Sequence, residues 1–198
     1  NTLLYRRWYN DIYDFSEGFA KVELDGKWGY IDTTGRQICS CKYDFAYGFS
    51  DGLASVELNG KWGYIDKTGK EVIPCKYDYV GDFSEGLTKV ELNNKYGYID
   101  KTGREVIPYK YDYIVDFKDG LAKVELNAKM GIIDKTGREV IPCIYNFVGS
   151  FEDGLAKVKL NRKWGYIDKH GNWYDKKPSI LPESITKITI SDIRYMVN

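Results

Sequence analysis

Eight aromatic side chains recur at fixed spacing and offer the most evident chemistry in the chain. Trp28, Trp62 and Trp164 share one phase of a 34-residue period, with Tyr96 and Met130 in the two remaining slots. Two residues further on, Tyr30, Tyr64, Tyr98 and Tyr166 share a second phase, with Ile132 in the fifth slot. Exposed ring faces in such a series bind sugars or cationic head groups. The competing role is packing of repeat against repeat. The fourth repeat bears on the choice, because Met130 and Ile132 keep bulk but lose both rings. Packing needs only bulk, whereas stacking needs the ring. Core packing is thus the expected main role. The candidate binding residues are Trp28, Trp62, Trp164, Tyr30, Tyr64, Tyr98 and Tyr166.

Other chemistry is sparse. Lys27, Lys61, Lys95, Lys129 and Lys163 are Lys in all five repeats, which a row gripping an anionic partner would require. The simpler expectation is a lysine just after a hairpin turn, its stem over the sheet and its head in solvent. His170 is the sole histidine and stands where Thr68, Thr102 and Thr136 occupy turns, with no triad partner in the pattern. Asp32-Thr33-Thr34-Gly35 has Asp-Lys-Thr-Gly equivalents, so it reads as a turn. Each turn offers one carboxylate where a calcium loop needs several. No glycine-rich loop leads into Lys-Ser/Thr. The expectation is no enzyme, no catalytic residue, no metal and no cofactor.

The elements that carry these residues follow from the period. Gly29, Gly63, Gly97, Gly131 and Gly165 are Gly in every copy, and so are Gly18, Gly52, Gly86, Gly120 and Gly154. A fixed period of this size means a repeat architecture. The tetratricopeptide repeat has the same length but is helical, and so many glycines are poor in helices. Apolar residues alternate instead, as Ala122, Val124 and Leu126 do against Lys123 and Glu125, which is strand spacing. In the second repeat "LASVEL" (53–58) is a strand, "NG" (59–60) a two-residue hairpin turn and "KWGYID" (61–66) the return strand. "DKTG" (66–69) is a turn whose Asp accepts backbone N–H bonds. "EVIP" (71–74) reads as a third strand closed by Pro, and "YDFAYGF" (43–49) as extended. The Gly52 row predicts a positive-φ turn. Tyr9, Tyr43, Tyr77, Tyr111 and Tyr145 are never Phe, so their hydroxyls are expected to make a needed hydrogen bond.

Composition bounds the class. Apolar content of 43% and aromatic content of 16% exclude a disordered chain. Acidic and basic residues balance at 29 each, and no basic cluster stands out, which argues against nucleic acid. Apolar runs fall far short of the ~20 residues of a spanning helix. No signal-peptide pattern opens the chain, and the first residue is Asn, as in a processed form or fragment. The compartment is not legible. Cys41, Cys75 and Cys143 share one phase with Tyr109, and Cys39 takes an Ile slot, so buried free thiols are expected. A Cys41–Cys75 bridge stays open as an alternative. No pair has zinc-site spacing.

Trp and Tyr of the return strand point one way, Gly and Ile the other, so both faces are apolar, as in sheets packed on sheets. Glu23, Glu57, Glu91 and Glu125 would lie ~5 Å apart if successive repeats were adjacent strands, but ~10 Å apart face to face. The expected fold is all-β: five β-meander repeats (9–42, 43–76, 77–110, 111–144, 145–178) in an open, solenoid-like array. The alternative is a five-bladed β-propeller. Residues 1–8 would form an N-terminal strand or cap, with Leu4 and Tyr5 in the Val72 and Ile73 slots. Residues 179–198 would form a cap or tail, with "SITKITI" (184–190) a strand and Ser191 capping a short helix.

The pattern "F-x-x-G-L-A-x-V", "K-W-G-Y-I-D-x-x-G", "V-I-P-x-x-Y-D" resembles the WG repeat family of bacterial proteins over residues 9–178. It departs at Tyr96, Met130, Ile132 and Cys39-Ser40. The resemblance implies a binding or scaffold module and brings no catalytic residues. The expected function is protein–protein binding or scaffolding; the alternative is a carbohydrate or choline-type ligand held in aromatic clefts between repeats.

Overall fold

A computed structural model describes residues 8–178. The strand or cap expected at Leu4 and Tyr5, the strand expected over 184–190 and the helix expected after Ser191 lie outside the described residues. All regular structure within them is β. Sheet one holds β1 (Asp11–Ile12), β2 (Phe19–Leu24), β3 (Lys27–Asp32) and β4 (Gln37–Tyr43). Sheet two holds β5 (Phe45–Ala46), β6 (Leu53–Leu58), β7 (Lys61–Asp66) and β8 (Glu71–Tyr77). Sheet three holds β9 (Tyr79–Val80), β10 (Leu87–Leu92), β11 (Lys95–Asp100) and β12 (Glu105–Tyr111). Sheet four holds β13 (Tyr113–Ile114), β14 (Leu121–Leu126), β15 (Lys129–Asp134) and β16 (Glu139–Tyr145). Sheet five holds β17 (Phe147–Glu152), β18 (Leu155–Leu160), β19 (Lys163–Asp168) and β20 (Trp173–Tyr174). Each is a four-stranded antiparallel meander of strands consecutive in sequence. The all-β class and the tandem four-strand repeat are as the sequence reads. The described residues form two compact units, divided between Tyr109 and Lys110.

The turns set the register. Asn59 and Gly60 both have positive φ (54° and 74°) and join β6 to β7 as a tight hairpin, with Leu58 opposite Lys61. Asp51-Gly52, at 56° and 87°, makes the same kind of turn before β6. The Asp78 carboxylate accepts the Asn93 N–H at 2.8 Å, and Asp44 accepts that of Asn59 at 2.6 Å. This explains the Asp of each Tyr-Asp pair: it pins the hairpin of its own repeat. Asp66 accepts the N–H groups of Thr68 and Lys70 at 2.8 and 3.1 Å, as its turn reading requires.

The third strand differs from expectation. It does not stop at Pro74 but runs on to Tyr77. β8 is an edge strand of its sheet, where a residue without an N–H is tolerated. Its register against β7 slips between the Trp62–Tyr77 and Tyr64–Ile73 pairs. The slip arches the β8 backbone over the residue that follows Trp. A Cβ on Gly29, the same position in sheet one, would lie 2.6 Å from the Cys39 carbonyl oxygen and 2.8 Å from the Cys41 nitrogen. Only glycine fits beneath that arch.

In the first unit, Tyr30, Cys39 and Tyr43 of sheet one pack with Ala46, Phe49, Ala54, Val56 and Ile65 of sheet two. Tyr64, Ile73 and Tyr77 pack likewise with Val90 and Ile99 of sheet three. In the second unit, Ile132, Ile141 and Tyr145 meet Val148, Ala156, Val158 and Ile167. Sheets thus pack face to face, and the repeated glutamates fall on separate sheets. All four cysteines are free, so Cys41 and Cys75 are not bridged. Burial pushes the Cys75 and Cys143 thiols up to about 11, which makes them poor nucleophiles.

Candidate functional site

Trp28 and Tyr30 share one face of β3 but sit at different depths. Tyr30 lies mid-strand and is fully buried; Trp28 stands beside the Asp25–Gly26 turn and is only half-buried. The Tyr row is therefore interior: Tyr30, Tyr64 and Tyr98 are buried, and Tyr166 is half-buried. The Tyr30 hydroxyl donates to the Tyr47 carbonyl of the next repeat, and that of Tyr64 to the Gly81 carbonyl. The Trp row is peripheral. Trp62 is half-buried, and Trp164 keeps 47% of its surface exposed.

The hydroxyl bonds expected of the Tyr43 row fall instead on the Tyr30 row. Tyr43, Tyr111 and Tyr145 bury their hydroxyls with no hydrogen-bond partner, and Tyr77 meets only the Tyr109 hydroxyl at 3.1 Å. Three lysines of the row are seen in ion pairs, Lys27 to Asp44, Lys61 to Asp78 and Lys163 to Asp175, with their side chains about half exposed. The His170 N–H donates to Asp168, as a turn residue would.

A second set of rings was missed. Phe45, Tyr79, Tyr113 and Phe147 follow the Tyr-Asp or Tyr-Asn pair in four repeats, and each is at least 37% exposed. Their recurrence at one phase was the available signal. They begin the first strand of sheets two to five, at the sheet edge. In the first unit they join the Trp row in a continuous strip. Tyr13 meets Trp28 with centroids 5.1 Å apart, and Trp28 meets Phe45 at 5.9 Å. Phe45 meets Tyr47 at 5.2 Å and Trp62 at 6.0 Å, and Tyr47 stacks on Trp62 at 5.7 Å and 29°. The Lys21 ammonium lies 4.6 Å from the centroids of both Tyr13 and Trp28, and donates to the Ala46 carbonyl at 3.3 Å. Burial holds that ammonium below the usual lysine value.

The second unit has a different feature, a cleft of about 390 Å³ between sheets four and five. Ile132, Leu121, Gly149, Phe151, Lys123 and Lys169 are among its lining residues. Ile132 occupies the slot where Tyr30 and Tyr64 cross to the next repeat, and Gly149 is the equivalent of their acceptors. Among the described residues no three His, Cys, Asp or Glu side chains gather as metal ligands. Nor is any helix among the described residues long and apolar enough to cross a membrane.

These features define a tandem β-repeat protein whose repeat is centred on a Trp-Gly pair. A family model described as WG containing repeat matches residues 9–28, 28–62, 62–96, 96–129 and 130–164, and the chain belongs to that family. A comparison with curated proteins gives no match. Among solved structures, Kluyveromyces lactis Hsv2p is similar at 10% identity, over 83% of this chain and 62% of its own, with a TM-score of 0.41. This chain thus spans about three-fifths of that protein's length. The extracellular domain BT4673 from B. thetaiotaomicron is similar at 15% identity, over 81% of this chain and 28% of its own, with a TM-score of 0.33. Likenesses this distant carry no function across.

Proposed function

We propose that this chain is a non-catalytic module that binds a protein partner along the aromatic strip of its first unit. The observation that carries the reading is the unbroken series Tyr13, Trp28, Phe45, Tyr47 and Trp62, three of whose members are among the exposed large hydrophobics. Tyr and Trp are the residues that protein interfaces favour, since they bring large rigid area with a polar tip. A contiguous exposed apolar strip marks such a surface. The test is a peptide-display selection on the whole chain, followed by Tyr47→Ser and Trp62→Ser variants. Selected peptides should lose affinity for both variants and keep it for Arg104→Ser. Peptides indifferent to Tyr47 and Trp62 would sink the proposal.

The cleft beside Ile132 favours a second reading, a small-ligand site in the second unit. Its volume of about 390 Å³ lies within the range of ligand pockets. Phe151 is its one aromatic lining residue, which weakens the carbohydrate-stacking form of that reading. Ile132→Tyr should place a ring in the cleft and a hydroxyl toward the Gly149 carbonyl. A ligand found by small-molecule screening should then be lost in the variant; retained binding would place it elsewhere.

A further inference from the structure

The first repeat fills its own aromatic cage. Lys21 projects from β2 into the space bounded by Tyr13, Trp28 and Phe45, with its ammonium 4.6, 4.6 and 5.8 Å from the three ring centroids. The fifth repeat does the same more simply, since Lys157 lies 4.8 Å from the Trp164 centroid and Lys159 5.3 Å from it. A cation over ring faces is held by the negative potential of the π system, most strongly over Trp.

The second repeat has the rings without the cation. Advancing one period turns Tyr13 into Tyr47, Trp28 into Trp62 and Phe45 into Tyr79, all aromatic. The same step turns Lys21 into Ser55, whereas the three later repeats carry Lys89, Lys123 and Lys157 there. Trp62 is therefore the one tryptophan of its slot without a lysine at that place. Tyr47 is 54% exposed and Tyr79 45% exposed. Tyr47 is stacked on Trp62 at 29°, where Tyr13 is tilted 48° from Trp28. Glu57 stands directly opposite Trp62 in the β6–β7 register, as Glu23 stands opposite Trp28. No ion pair engages the Glu57 carboxylate among the described residues. The Ala46 carbonyl that accepts from Lys21 has Val80 as its equivalent.

We infer that the Tyr47–Trp62 pair beside Ser55 is a binding site for the ammonium of a lysine side chain presented by a protein partner. The first repeat shows the chemistry of the occupant, because the fold places a lysine in the same setting. Aromatic rings would hold the cation, Glu57 would supply the counter-charge, and the backbone carbonyl would accept an ammonium N–H. This deepens the strip-binding proposal and rests on it for the identity of the lysine's carrier.

The experiment follows the tryptophan indole N–H signals in ¹H–¹⁵N spectra of the full chain during titration with Nα-acetyl-lysine methylamide. Trp62→Phe and Trp28→Phe assign the signals, and the norleucine analogue serves as the uncharged control. The Trp62 signal should shift saturably with the lysine probe alone, while that of Trp28 stays still. Ser55→Lys, which supplies the missing internal cation, should weaken the Trp62 response about tenfold or more. Lys21→Ser should open a second site and make Trp28 responsive, which keeps the test independent of how well Ser55→Lys folds. Equal shifts at Trp28 and Trp62, equal response to norleucine, or a Ser55→Lys response as strong as the wild type would each overturn the site. Display-selected peptides separate the two proposals. Strip binders that carry no lysine and ignore Ser55→Lys would leave the strip standing and remove the cage. A Trp62 response to the probe with no peptide bound along the strip would do the reverse.

Discussion

Two rows of tyrosines use their hydroxyls in opposite ways. Tyr30 spends its hydroxyl on the Tyr47 carbonyl, and Tyr43 buries its own with no partner. Removing a satisfied hydroxyl leaves the buried carbonyl short of its donor and costs about 1 kcal/mol, whereas removing an orphan relieves a desolvated group. Tyr30→Phe should therefore lower the urea midpoint, and Tyr43→Phe should leave it unchanged or raise it. The invariance of Tyr43, Tyr77, Tyr111 and Tyr145 was legible, but its cause was misread. Their rings are fully buried, and in three of them the preceding lysine lies 4.9–5.1 Å from the ring centroid; the Tyr109 hydroxyl accounts for that of Tyr77, and nothing in the structure accounts for the other three. Glycine was read more accurately than tryptophan. The Trp slot lies at the sheet's rim and accepts Tyr or Met, while its Gly neighbour lies under the arch of the next strand. Gly63→Ala should cost about 3 kcal/mol through that backbone collision, seen as a large drop in melting temperature. A melting curve like that of the wild type would disprove the arch.

At the scale of the element, turns were the most legible part of the chain. Asn59-Gly60 and the Asp-Lys-Thr-Gly sequence carry their geometry in their residue types, since few side chains tolerate positive φ or cap a turn. The run of β8 through Pro74 was not legible, because its place at the sheet edge depends on which strands pair. The turn aspartates bring a pH dependence. The Asp100 carboxyl is held down to about 2, from an ordinary 3.8, by the Thr102 hydroxyl first, with the N–H groups of Thr102 and Arg104 and the Arg104 side chain adding to it. Folding thus favours the ionised form. The resulting stability is complete above the ordinary value and is lost as the pH falls from about 4 towards 2. Urea midpoints measured across that window should decline, and Asp100→Asn should flatten part of the decline. A variant with the same acid slope as the wild type would remove Asp100 from the account.

Within each unit of the molecule the core is made of sheet-to-sheet interfaces, so damage should stay local. Val158 is fully buried with Ile132, Ile141 and Tyr145 in the second unit. Val158→Ala should speed amide hydrogen exchange in sheets four and five and leave sheets one and two near their original protection, as nearest-neighbour coupling predicts. Uniform loss of protection would mean that the array opens as one body. Face-to-face packing was legible from two apolar faces on one strand and from the glutamate phase. The aromatic strip was only half legible. Its Trp members announced themselves by type, but their exposure depends on distance from a turn, and Phe45 opens a strand of two residues, too short to show a period, with Tyr47 just beyond it.

Because every sheet is completed by strands that follow one another directly in the chain, no sheet waits for a distant segment. During synthesis each meander can close soon after its last strand leaves the ribosome, and it then offers a finished face to the next. The same arrangement lets the gene gain or lose one period without stranding an unpaired edge, so array length, and with it the number of places where a lysine can be swapped for a serine, is open to change one repeat at a time.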